Sequence, residues 1–198
     1  MSVVLDVLMS TMVAAFVLLQ GLRLNFMVID NRDAATAQTN VQQSLVDAVA
    51  YIESDFRRIG YGLTDPKLAI AIADSDRIRF RADIDLDGDI DSVQWRLGPP
   101  LGLTGNPNIR HLFRKVNNGA EEPTANGVTN FKLKYLTVDG APTSTLSQVW
   151  IIETILAVES PYKTRDQVKM DETYEEMGYA TSFWKQTRLA TRNIKRHG

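Results

Sequence analysis

Apolar positions along the chain fall into three regimes. Over residues 3–29 they run almost without break, interrupted by Asp6, Ser10, Thr11, Gln20, Arg23 and Asn25. From residue 41 they thin to a single stripe, Val41, Leu45, Val49, Ile52, Phe56 and Ile59, at spacings of four and three. That period belongs to an amphipathic helix. Residues 30–40 between the two are polar, but they carry Ala, Gln and Arg and contain neither Pro nor Gly, so a helix can run through. Glu53 and Arg57 stand at i,i+4 with the acid first, the favourable order. Arg57 and Arg58 fall in the last turn, and Gly60 follows as a left-handed C-cap. The pattern predicts one helix over residues 2–59, about 85–90 Å long at a rise of about 1.5 Å per residue. No single small domain buries such a rod, so most of its N-terminal half must meet lipid or other subunits.

Beyond Gly60 the period shortens to two. Residues 77–82, 92–97 and 110–116 read as short strands, and residues 131–138 and 149–158 as longer ones, with Phe131, Leu133 and Tyr135 alternating. Turn signals separate them at Asp87-Gly88, Gly98-Pro99-Pro100, Asn117-Asn118-Gly119 and Asp139-Gly140. Closely spaced strands of this kind suit an antiparallel sheet that buries one face on the helix. Residues 160–178 are acidic with little apolar periodicity and are expected to form an excursion or a short surface helix. Residues 180–194, with Phe183, Trp184 and Leu189, read as a closing strand. The expected class is therefore α+β, a long N-terminal helix with an apolar first half packed on an antiparallel β-sheet. Its organisation is 1–29 apolar helix, 30–60 the amphipathic half of the same helix, and 61–198 the sheet domain.

Composition narrows the chemistry. With 198 residues and a net charge of −2, basic and acidic residues interspersed, there is no nucleic-acid footprint. The absence of cysteine excludes a disulfide framework, a zinc-thiolate site and a cysteine nucleophile. Two histidines, His111 and His197, do not make a histidine-rich metal site, and no nucleophile, base and orienting group can be named together. The N-terminal run does not read as a secretory signal, because no Lys or Arg precedes it and no Ala-x-Ala-like site comes after it. Its cleanest stretch, residues 12–19, is shorter than the roughly 18 apolar residues of a conventional span. The favoured expectation is a helix that occupies a bilayer at one time and a protein core at another; the plainer one is an ordinary single-pass anchor.

These features together resemble the type IV pilin and pseudopilin superfamily, closest to PilW-like minor pilins and GspJ-type pseudopilins. The resemblance covers the whole chain. It rests on the apolar N-terminal helix and on Val41-Gln42-Gln43 through Asp55-Phe56-Arg57-Arg58-Ile59-Gly60-Tyr61-Gly62. Asp76-Arg77-Ile78-Arg79-Phe80, the acidic loop, Leu112-Phe113-Arg114, Gly127-Val128 and Arg192-Asn193 extend it through the sheet domain. Processed members resemble Phe-Thr-Leu-Ile-Glu at their start, after a short basic leader ending in glycine, whereas this sequence reads Met1-Ser2-Val3-Val4-Leu5-Asp6. Either the sequence stands in mature form or the filament accepts an aspartate shifted by one position. The resemblance implies that Asp6 pairs with the N-terminal amine of a neighbouring subunit; an acid at headgroup level is the alternative. It also implies that Val7, Leu8, Val13, Phe16, Val17, Leu18 and Leu19 pack the core of a filament.

The sharpest local motif is Asp83-Ile84-Asp85-Leu86-Asp87-Gly88-Asp89-Ile90-Asp91. Its D-x-D-x-D-G core matches the first half of an EF-hand loop, in which alternate oxygen ligands converge on a hard cation and glycine permits the turn. Calcium ligation by Asp83, Asp85, Asp87, Asp89 and Asp91 is the expectation, against a β-hairpin flanked by solvated acids. Position twelve is Gln94 where that loop carries glutamate. Trp95, Trp150 and Trp184 read as core more readily than as a carbohydrate-stacking surface. Lys132 and Lys134 read as a solvated strand face, and Glu153 as a sheet edge or intersubunit contact.

The functional expectation is a non-enzymatic structural subunit of a pilus-like or pseudopilus filament. Its partners would be copies of itself or other pilin-like subunits, the inner membrane before assembly, and the pilus or secretion assembly machinery. It would end in an extracellular or periplasmic filament. The alternatives are a minor tip or priming pseudopilin, and a membrane-anchored calcium- or glycan-binding protein that never polymerises.

Overall fold

A computed structural model of the protein describes residues 2–102, 105–165 and 177–190. One helix, α1 (Ser2–Arg58), precedes seven strands: β1 (Ile70–Ala73), β2 (Arg77–Ala82), β3 (Asp91–Pro100), β4 (Arg110–Val116), β5 (Glu122–Leu136), β6 (Ile151–Arg165) and β7 (Met177–Ala190). They form one sheet in sequence order, every neighbouring pair antiparallel. The chain is α+β: a long helix against an antiparallel, curled sheet.

The stripe on α1 explains how the two layers meet. Val41, Leu45, Ile52, Phe56 and Ile59 are buried, and Ala48 joins them on the same face. Opposite lie the inward residues of the sheet, among them Ile78, Phe80, Val93, Trp95, Leu112, Phe131 and Leu156. Phe56 meets Phe80 edge-on, with ring centroids 6.0 Å apart. The alternation of β2 is complete, Arg77, Arg79 and Arg81 exposed and Ile78, Phe80 and Ala82 buried. Glu53 and Arg57 form the expected pair at 3.3 Å on the solvated side of α1.

At the end of α1, Gly60 adopts φ +79°, the left-handed cap, and its N–H donates to Arg81 O at 3.0 Å. That bond ties the end of α1 to β2. The curl brings the β1–β2 turn against β5, where Leu133 N–H donates to Ser75 O at 2.7 Å and the Tyr135 hydroxyl donates to Asp74 O at 2.8 Å. Burial, followed by the nearby charges of Asp74 and Asp76, raises the Tyr135 phenol well above its ordinary value, so it remains a donor.

Several expectations change. Residues 160–165 are not an excursion: β6 continues to Arg165 and pairs with β7 through Lys163↔Tyr179 and Arg165↔Met177. Pro161, which has no N–H to give, sits where the register shifts between Glu159 and Lys163, and the Ser160 hydroxyl accepts from Ala180 N–H at 2.9 Å. The acidic part of that segment, residues 166–176, lies outside the described residues, as does the end of the expected closing strand, residues 191–194. Two stretches without alternation are strands, β1 and the first half of β5, where Gly127 at φ +76° forms an irregularity. A side chain there would approach Glu159 O to 2.8 Å. Glu153 is not at an edge, since β6 is flanked by β5 and β7 and Glu153 faces Lys134 across the ladder.

Candidate functional site

The apolar half of α1 is uncovered and carries most of the exposed large hydrophobic side chains among the described residues. Val7, Leu8, Val13, Phe16, Val17, Leu18 and Leu19 are 55–66% exposed. Four of them are consecutive, so at about 100° per residue they face every direction around the helix, the pattern of a segment surrounded by apolar material. The helix contains an 18-residue window of mean hydropathy 2.1, long and apolar enough to cross a membrane and with none of the window covered by the sheet domain. The polar interruptions are milder than the sequence suggests. The Ser10 hydroxyl donates to Val7 O at 2.9 Å and the Thr11 hydroxyl to Leu8 O at 2.8 Å, so both are satisfied within the helix. Asp6 is exposed on the same apolar rod.

Where α1 meets the sheet, three residues form a clamp. Asp55 is 7% exposed, and its Oδ2 accepts from Trp95 Nε1 at 2.8 Å and from Arg114 Nε at 2.7 Å; Oδ1 accepts from Arg114 Nη2 at 3.1 Å. The hydrogen bond to Asp55 raises the Arg114 guanidinium above its ordinary value, against the opposing effect of burial. Sequence reasoning misses this clamp. Its signal is Asp55 lying between Ile52 and Phe56 on the buried arc, where a carboxylate requires partners. Trp95 belongs to the core, and Trp184 packs half-buried against it, so the three tryptophans do not make one exposed stacking face. Lys132 and Lys134 are exposed on either side of buried Leu133.

The acidic loop joins β2 to β3 beside the C-terminal end of α1. Asp83 N–H donates to Tyr61 O at 3.0 Å, and the Arg58 guanidinium donates to Ile84 O. Asp83 is buried and organises the loop, Oδ1 accepting from Leu86 N–H at 2.7 Å and Oδ2 from Gly88 N–H at 3.2 Å. Asp91 accepts from Ile84 N–H at 3.2 Å and from Asn117 Nδ2 at 2.6 Å. Carboxylate oxygens of Asp83, Asp85 and Asp91 all lie within 4.8 Å of one another. This donor set is all oxygen, the chemistry of a hard cation. Asp87 and Asp89 are not part of that convergence; Asp87 Oδ1 instead accepts from Asp89 N–H at 2.8 Å. Gln94 supplies no twelfth ligand, being drawn into β3, where its Oε1 accepts from Arg79 at 2.6 and 3.0 Å. Loss of part of its water shell, then the charges of Asp87 and Asp91, hold the Asp85 carboxyl above the usual carboxylate value.

A fourth feature is a cavity of about 780 Å³ at the opposite end of the domain, where α1 leaves the sheet. Its helix wall carries Ala37, Val41 and Ser44, and its sheet wall carries Ile109, His111 and Val158.

No family model, no curated protein and no solved structure matches the chain.

Proposed function

We propose that the protein is a non-enzymatic structural subunit that is anchored in a membrane by the apolar half of α1 and polymerises through that half into a pilus-like or pseudopilus filament. The observation that carries the reading is the all-round exposure of residues 3–29 on a helix whose other end is locked into a sheet domain. A helix apolar on every side is stable only when surrounded, by lipid before assembly and by the same helix of neighbouring subunits after it. The sheet domain, held by the Asp55 clamp and the stripe, then coats the outside. Asp6 gives the apolar rod a single carboxylate near its start, which is costly in such a medium unless paired; its partner would be the N-terminal amine of the next subunit. Substitution of Asp6 by alanine is expected to abolish or sharply reduce filaments seen by electron microscopy of sheared surface material, with the melting transition of the sheet domain unchanged. Filaments at normal yield from that variant would refute the role of Asp6. Full-length protein that stays monomeric in every mild detergent and forms no filaments would refute polymerisation itself.

A further inference from the structure

We propose that the cavity between α1 and the sheet holds an acyl chain of a zwitterionic membrane phospholipid. The inference rests on the membrane-anchored part of the proposed function and does not require polymerisation. Position is the first argument. Because α1 is unbroken, the cavity's helix wall, from Asp33 to Ser44, begins about 6 Å and ends about 22 Å beyond Ile29, the last residue of the apolar run. When the apolar run crosses a bilayer, the cavity opens at headgroup depth, within reach of a lipid tail.

The walls supply the second argument. At about 780 Å³ the cavity lies within the range of roughly 300–1,000 Å³ typical of sites that enclose a small molecule. Val41, Ile109 and Val158 give it an apolar interior suited to a hydrocarbon chain. His111 contributes to the same wall, its ring set edge-on to Phe113 at 5.7 Å. The third argument is the charge of the lining. Asp33 and Glu159 are acidic and Lys163 is basic, so both a headgroup amine and a headgroup phosphate find a counter-charge. Glu159 is already held in place, accepting from Asn106 Nδ2 at 2.8 Å and from the Thr129 hydroxyl at 3.3 Å. A purely anionic amphiphile would meet two carboxylates against one ammonium and is disfavoured.

The test uses the full-length protein in vesicles of phosphatidylethanolamine and phosphatidylglycerol. A small fraction of one or the other lipid carries a photoactivatable diazirine on its acyl chain. After irradiation, adducts are mapped by mass spectrometry. The expected result is labelling both within residues 3–29 and on the cavity walls, residues 37–44, 109–111 and 158–163. Cavity labelling should be stronger with the phosphatidylethanolamine probe. Ala37→Trp, which fills the space from the half-buried helix wall, should lower cavity labelling about tenfold and leave residues 3–29 labelled as before. Ser44→Trp enters the same cavity two turns further on and serves if the first variant does not fold. Labelling confined to residues 3–29 would overturn the cavity proposal while supporting the anchor. Cavity labelling that is equal for the two probes would overturn the headgroup assignment, and cavity labelling that survives both tryptophans would overturn the site. No labelling anywhere would overturn the anchor and the proposal together.

Discussion

At the scale of single residues, the energetics concentrate in two carboxylates with opposite circumstances. Asp55 is nearly buried and fully engaged, and its partners come from two different strands. Removing one member of such a group leaves the others desolvated and unpaired, which costs more than the pair contributes. Asp55→Ala is therefore expected to destabilise the sheet domain by about 2–4 kcal/mol in urea denaturation. The double variant Asp55→Leu with Arg114→Met should recover part of that loss. Equal stability of Asp55→Ala and the unchanged protein would remove the clamp from the account.

Asp85 is exposed and crowded by like charge. Its raised carboxyl means that the folded loop holds a proton more tightly than the unfolded chain does. The associated strain is absent at pH below the usual carboxylate range and appears as pH rises through the unfolded and then the folded value. A bound cation would relieve it at neutral pH. Calcium is expected to raise the melting temperature relative to chelator at pH 7, with the difference shrinking as pH falls below about 4, where the carboxylates take up protons. Asp85→Asn should raise the melting temperature in chelator and abolish the response to calcium. Identical melting with and without calcium would dismiss the ion.

At the scale of elements, α1 is one helix with two environments, and each half predicts a different phenotype. Phe56 is wholly buried against Phe80, and Phe56→Ala should cost about 3–5 kcal/mol of domain stability. Phe16 is 62% exposed, and Phe16→Ala should change domain stability by less than about 0.5 kcal/mol. Under the proposed function its effect would fall on membrane insertion and assembly, read as a drop in sheared filament yield. A destabilised sheet domain in Phe16→Ala would mean that the two halves of α1 are not independent. Strands set between clear turn signals were legible in the sequence: the expected 77–82 and 110–116 coincide with β2 and β4. In the first half of β5 only the resemblance marked a strand, at Gly127-Val128; periodicity did not, because Pro123, Gly127 and a shifted register break its period while its hydrogen bonds to β4 and β6 hold it extended.

At the scale of the whole molecule, the two ends of the domain carry different chemistry. The acidic loop lies by the C-terminal end of α1, far from the apolar run, and the cavity lies beside it. In an anchored subunit the loop therefore faces away from the bilayer and the cavity faces toward it. Filament abundance separates the two forms of the assembly reading. A bulk subunit is expected to dominate sheared material by quantitative mass spectrometry, whereas a tip or priming subunit should be nearly absent from it.

The sequence by itself determined the continuous helix, its change from all-round apolar to a single stripe, the left-handed cap at Gly60 and the α+β class. Each is a local matter, set by the directions in which neighbouring side chains leave the backbone and by the breakers that end a run. Tertiary structure alone decided which acids meet. Five aspartates at alternate positions predicted a common focus. The turn through Leu86 at φ +66° and Gly88 at φ +95° brings together Asp83, Asp85 and Asp91 and leaves Asp87 and Asp89 to other work. It likewise decided that Asp55 is shared by Trp95 and Arg114, forty and fifty-nine residues away, and that a cavity opens where α1 parts from β6. Those distances depend on how the sheet curls around the helix, and no local period encodes that curl.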